Sequence, residues 1–350
     1  MYTRARLGQQ TLLTLTLFVL TALLLSTTVG PMQIVWHDSA RVLLGLGSAS
    51  GGSHIDSIIT SIRLPRALLG MLVGAALAAS GAAIQGLFRN PLADPGLIGV
   101  SGGAALAAVA VIVLGGTTLG PLIHWLGPYS LMLAAFGGGF LTTLLVARIA
   151  TPRTGGTSTS TLLLAGIAIN IITGAGIGLF TYMADDTQLR TLTFWSMGSL
   201  GGALWEVVLS AGSLIVLVLL LLPRQARPLN ALLLGESEAR HLGIDVNRVK
   251  QRVMLLSALA VGAAVAAAGM IGFVGLVVPH LVRLTLGPDH RYLLPASALL
   301  GGLFLLVADM LARTLIAPAE LPIGLLTSII GGPFFIALIM LQGRRYQAWP

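Results

Sequence analysis

Hydrophobic residues in this chain cluster in long unbroken runs, without the alternate or every-third spacing of half-buried elements. Ten runs stand out, at residues 11–29, 66–87, 97–114, 129–150, 161–182, 207–222, 253–268, 271–286, 293–311 and 324–341. A hydrocarbon core about 30 Å thick needs about 20 apolar residues per helix. The pattern therefore predicts an all-α polytopic membrane protein of about ten spans, the third and eighth short or broken. Arg4 and Arg6 before the first run give it the build of a secretory signal. Nine further runs favour a retained helix.

Charge sits between the runs. With ten spans, one face holds both termini and the loops after even-numbered spans. Fifteen of the twenty Lys and Arg residues fall there, which predicts cytoplasmic termini. Arg41, Arg63, Arg66, Arg190 and Arg313 fall on the other face. The net charge of +8 is then a topological bias, and nucleic acid is discounted as a partner. Only 9% of the 350 residues are charged, too few to cover a soluble surface. No cysteine is present, which excludes disulfides and thiolate chemistry.

The segment Val73–Gly81 (VGAALAASG) matches Val261–Gly269 (VGAAVAAAG) at an offset that also aligns Pro91 with Pro279. The two lie in spans two and seven, which cross in opposite directions, so the match predicts an inverted internal repeat. In transporters of that build, broken helices sit at equivalent places in each half. Gly/Ala-rich helices also resemble one another simply because small residues let helices approach closely.

Catalytic constellations are missing. The single lysine, Lys250, follows Val249, so no phosphate-binding loop of the GxxxxGK type exists. Gly99–Gly103 (GVSGG) fits a serine-nucleophile elbow but lacks the strand–turn–helix context, and helix capping by Ser101 is the plainer reading. Asp185-Asp186 reads as a solvated loop, and the six histidines show no ligand spacing. No cofactor is expected.

Pro223–Arg252 is the one long charged cytoplasmic stretch. Ala231, Leu234, Glu238, Ala239 and Leu242 follow helical spacing, interrupted or capped at Gly235 and Gly243. Such short helices fit either the membrane surface or a groove on a partner. On the outer face, Arg63 and Arg66 open span two and Arg313 closes span nine. They suit snorkelling to headgroups or bidentate pairing with a partner's carboxylates.

Taken together, several motifs resemble the permease family of ABC importers for ferric siderophores, cobalamin and haem. They are Arg63–Arg66 (RLPR), Gln85–Gly96 (QGLFRNPLADPG), Leu163–Gly166 (LLAG), Gly275–His280 (GLVVPH) and Glu320–Gly324 (ELPIG). The resemblance covers essentially everything after residue 60. It implies a single transmembrane permease domain acting as a homodimer in the bacterial inner membrane. Two cytoplasmic ATPases would dock on the arm at Gly235, Glu236, Ala239, Leu242 and Gly243. A periplasmic binding protein would dock on Arg63, Arg66 and Arg313. Asn90 and Leu92 in one loop, and Thr159 and Ser160 in another, match the cytoplasmic gate of the cobalamin permease.

For the cargo, Tyr182–Arg190, Phe194–Gly201 and Leu315–Pro322 look closest to haem permeases, with Arg190 a propionate contact. Ferric siderophores and cobalamin are the alternatives. A rival class, an ion-coupled carrier, requires ionisable groups deep in the spans. Its best candidate, Asp309, lies one helical turn from Arg313 and is expected to pair with it.

Overall fold

The computed structural model describes residues 2–48, 52–116, 119–151 and 158–347. Arg153, counted above on the cytoplasmic face, lies outside them. Every regular element among the described residues is helical. In chain order they are α1 (Tyr2–Thr28), α2 (Trp36–Leu43), α3 (Gly52–Ser57), α4 (Leu64–Phe88), α5 (Val100–Leu114), α6 (Gly120–Leu126), α7 (Ser130–Ile149) and α8 (Thr159–Met183). Then follow α9 (Asp186–Ser196), α10 (Trp205–Leu221), α11 (Ala226–Leu232), α12 (Glu236–His241), α13 (Val246–Ala268), α14 (Val274–Leu286), α15 (His290–Thr314) and α16 (Ile323–Gln347).

Seven helices among the described residues are long and apolar enough to cross a membrane. Three shorter apolar ones accompany them: α5, α14 and residues 323–337 of α16. Each of the ten apolar runs falls on one of these helices. Between α1 and α4, the described residues form α2, α3 and a π-helical turn at Ile58–Arg63 that leads directly into α4.

The core is built around α4. Its most apolar window is 83% buried, against 22% for α7 and 28% for α8. A helix surrounded on every side must offer small residues, because lipid supplies no hydrophobic drive and close packing has to replace it. Gly74 lies against the backbone carbonyl of Gly301 in α15, and Gly301 returns the contact to the carbonyl of Gly74. Gly81 meets the carbonyl of Gly275 in α14 in the same way. At these crossings a β-carbon would overlap main chain that cannot move aside. The Gly/Ala stretch of α4 is thus where three helices come closest.

Two main-chain breaks interrupt the bundle. After α4, Arg89 adopts a left-handed conformation (φ 50°), and a 3-10 turn, Pro95–Ile98, leads into α5. After α13, Gly269 (φ 70°) and Phe273 (φ 67°) reverse the chain before α14. The proline match behind the expected repeat does not carry over. Pro91 lies in the loop after α4, whereas Pro279 is inside α14. Gly81 is likewise mid-helix in α4, while Gly269 caps the end of α13. The nine-residue similarity does not align the two breaks.

Candidate functional site

Three regions carry the chemistry of the fold. The first is a charged cluster at the ends of α4 and α15. Arg66 Nε donates to Asp309 Oδ1 at 2.9 Å, and its Nη1 reaches both Glu320 oxygens at 2.9 Å. Arg313 Nε lies 3.0 Å from Asp309 Oδ2, although its N–H is directed at the Asp309 carbonyl, 3.3 Å away. Arg63 donates to the carbonyls of Thr27 (2.9 Å) and Thr28 (2.7 Å), and to that of Met32. Arg313 adds Ser26 Oγ at 2.9 Å and the Val29 carbonyl at 3.1 Å.

Most of these acceptors are carbonyls at or just past the C-terminal end of α1, where cations are favourably placed. The three arginines therefore come together, as their expected common role requires. All three are buried, however, and turned into the protein. Only Glu320, with its side chain 40% exposed, opens the cluster to solvent. Asp309 pairs with Arg313 as expected, and with Arg66 as well. Neither Asp309 nor Glu320 stood out in the sequence as a partner for Arg66; 243 residues separate the nearer pair.

The second region is a cavity of about 470 Å³ between the two breaks. Asp94, Ser101, Met197, Met270, Gly275 and Ser328 line it, together with residues of α4 and α13 and others of these segments. That volume is within the range of small-molecule sites. Asp94 caps the 3-10 turn by accepting from the Gly96 N–H at 2.7 Å, and Asn170 Nδ2 of α8 donates to the Gly96 carbonyl at 2.9 Å. On the opposite side, Gln85 of α4 donates to the Gly275 and Leu276 carbonyls (3.4 and 3.3 Å) and accepts from Arg283 Nη2 at 2.8 Å. Both broken segments are thus pinned by amide side chains from intact helices.

Ser101 is not a helix cap: Gly99 occupies the cap of α5 in a left-handed conformation, and Ser101 faces the cavity instead. Arg190 is exposed on α9 and is not among the cavity residues, which α9 supplies from its C-terminal end as Ser196 and Met197. Asp185, expected in a solvated loop, caps α9 in a reciprocal capping box with Gln188.

The third region is cytoplasmic in the expected topology. The arm forms two short helices, α11 and α12, with Gly235 (φ 130°) at the start of α12 and Gly243 (φ 79°) just past its end. Ala239 is fully buried, while Leu234 and Leu242 are 68% and 64% exposed and present an apolar edge. Glu236 turns inward. Its Oε1 accepts from Lys250 Nζ of α13 at 2.7 Å and from Thr159 Oγ1 of α8 at 3.0 Å. Burial works against the charge, but these two donors and the nearby Arg240 outweigh it and hold the carboxyl below its usual range.

Of the expected gate residues, Thr159 is half-buried and joined to the arm. Ser160 is exposed, and Asn90 accepts from the Leu92 N–H in a local turn. A second link runs from α11: Asn230 accepts from the His290 N–H at 2.8 Å and donates to Asp289 at 2.6 Å.

Helices broken around a cavity, with short helices exposed on the arm, are the build of a membrane transport permease. A model of the FecCD transport family matches residues 16–341, and the chain belongs to that family of ABC importer permeases, multi-pass proteins of the inner membrane. The hemin transport system permease protein HmuU of Yersinia pestis is 51% identical over 316 residues, covering 86% of this chain and 93% of that protein. The cobalamin import system permease protein BtuC of Halobacterium salinarum is 46% identical over 318 residues, covering 91% and 78%. A solved structure described as an inward-facing conformation of a metal-chelate type ABC transporter superposes with a TM-score of 0.80 at 32% identity, covering 95% of this chain and 99% of that one.

Proposed function

We propose that this chain is the membrane subunit of an ATP-driven importer that carries haem from a periplasmic binding protein into the cytoplasm. All ten apolar helices cross the bilayer, both termini are cytoplasmic, and two copies enclose the path between them. Two ATPase subunits dock on α12 through Gly235, Glu236, Ala239, Leu242 and Gly243, and they alone hydrolyse ATP. Closure of the ATPases shifts the permease between outward and inward states, because a conformational change needs a partner that binds the two states differently.

The observation that carries the cargo is the 51% identity to a hemin permease along 93% of that protein. The mainly apolar cavity suits the face of a porphyrin, and Arg190, exposed on α9 outside the cavity lining, is the propionate contact of this reading. Cobalamin is the second reading, supported by the 46% identity to BtuC.

The binding protein docks over the outer ends of α4 and α15. A carboxylate of that protein reaches Arg66 by displacing the half-exposed Glu320 from its Nη1. Arg63 and Arg313 support that site from behind, through their bonds to α1.

The test is ATP hydrolysis and uptake in liposomes, with the chain co-purified with its ATPase and given binding protein loaded with haem, cobalamin or a ferric siderophore. Stimulation by haem alone is the expected result. A response to cobalamin alone leaves the importer and changes its cargo. Failure of any ATPase to associate overturns the reading.

A further inference from the structure

Three helices meet on one oxygen atom: the neighbours α12 and α13, and α8 from a distant part of the chain. Glu236 belongs to the exposed arm helix α12, Lys250 to the first turns of α13, and Thr159 is the first residue of α8. The lysine ammonium is 2.7 Å from Glu236 Oε1 and the threonine hydroxyl 3.0 Å from the same atom. The Lys250 side chain is 1% exposed, whereas that of Glu236 is 27% exposed. A lysine sequestered to that degree demands a fixed anion, so α13 holds the carboxylate in place. The remaining neighbour of the carboxylate, Arg240, is 3.8 Å from Oε2 with its own side chain 57% exposed, and it contributes little.

On the α8 side the attachment is light. One neutral hydroxyl donates, and the helix start is otherwise capped by Ser158, which accepts from the Thr161 N–H at a long 3.4 Å. Leu234 and Leu242 flank α12 on its exposed edge. A partner pressing on that edge moves a helix whose inward carboxylate is bonded to the N-terminus of α8.

We propose that Glu236 is the transmission joint of the permease: Lys250 fixes its carboxylate, and Thr159 carries its displacement to the cytoplasmic end of α8. Glu236 and Lys250 are positioning residues, acting through Thr159 on the opening of the path. The inference rests on the reading that α12 receives the ATPase, and it concerns what happens after docking. Loss of the Thr159 hydroxyl leaves the Lys250–Glu236 pair and the outer edge of α12 intact. It therefore separates transmission from docking and from stability.

The experiment measures haem imported per ATP hydrolysed, in liposomes containing the full complex with its ATPase and haem-loaded binding protein. Thr159→Val is expected to lower that ratio about fivefold or more, the span of a typical coupling between sites. Thr159→Ser, which restores the donor, is expected to recover it. Thr159→Ala serves as a second hydroxyl-free variant should valine disturb the helix start.

A wild-type ratio in the hydroxyl-free variants overturns the inference, as does a parallel fall of hydrolysis and import that leaves the ratio unchanged. A wild-type complex that neither hydrolyses ATP nor imports haem fails the functional reading itself, and the control arm reveals that directly.

Discussion

Asp309 is the residue whose loss the structure makes most costly. It sits between Arg66 and Arg313, with side-chain exposures of 2%, 11% and 4% in that order. Asp309→Asn preserves shape and removes the buried negative charge that Arg66 and Arg313 share. Arg66 then keeps only Glu320, and Arg313 only neutral oxygens at the end of α1. Removing one partner of a buried ion pair costs about 3–5 kcal/mol, most of it the uncompensated charge left behind. Glu320→Gln deletes an equally short contact from a side chain that is 40% exposed. Solvent screens that pair, and the expected cost is about 0–1 kcal/mol. Geometry alone would rank the two contacts together; burial separates them. Equilibrium unfolding in mixed micelles, followed by circular dichroism, reads the difference. Equal destabilisation by the two substitutions would refute the argument, because burial would then not govern the strength of the cluster.

Two further outcomes follow from the packing and the arm. Gly74→Leu forces a side chain into the Gly301 carbonyl, and overpacking of this kind costs about 1–3 kcal/mol or more. A monodisperse, wild-type-stable protein on size exclusion and heating would contradict the crossing. The Glu236 carboxyl, held below its ordinary value of 4.5, contributes stability that is fully present above that value. That contribution is lost as pH falls through the depressed folded value. Proteolytic nicking of the arm is therefore expected to stay flat from neutral pH to about 4.5 and to rise only below it. In Glu236→Gln the acid-induced step disappears.

Much of the fold was legible because lipid imposes a one-dimensional code. A helix that must satisfy its own backbone and match a fixed thickness advertises itself by length and apolarity. Every apolar run became a helix for that reason, and the short third and eighth runs became the short helices α5 and α14. The arm was legible too, since Gly235 and Gly243 mark places where the chain needs positive φ.

What the sequence could not reveal is which groups far apart along the chain meet. Arg66 and Asp309 are 243 residues apart, and Thr159 and Glu236 are 77 apart. Their pairing depends on α4 lying against α15 and on α12 folding back toward α8, both consequences of packing. Pro91 and Pro279 match in sequence, yet one sits in a loop and the other inside a helix, which the match did not reveal. Lys250 held a sequence signal, as the single lysine in an arginine-rich chain, but its meaning appeared only once burial was known. Length, span and punctuation are local properties of a chain in lipid. The direction an ionised side chain turns is set by the helices around it, and only the assembled bundle decides that.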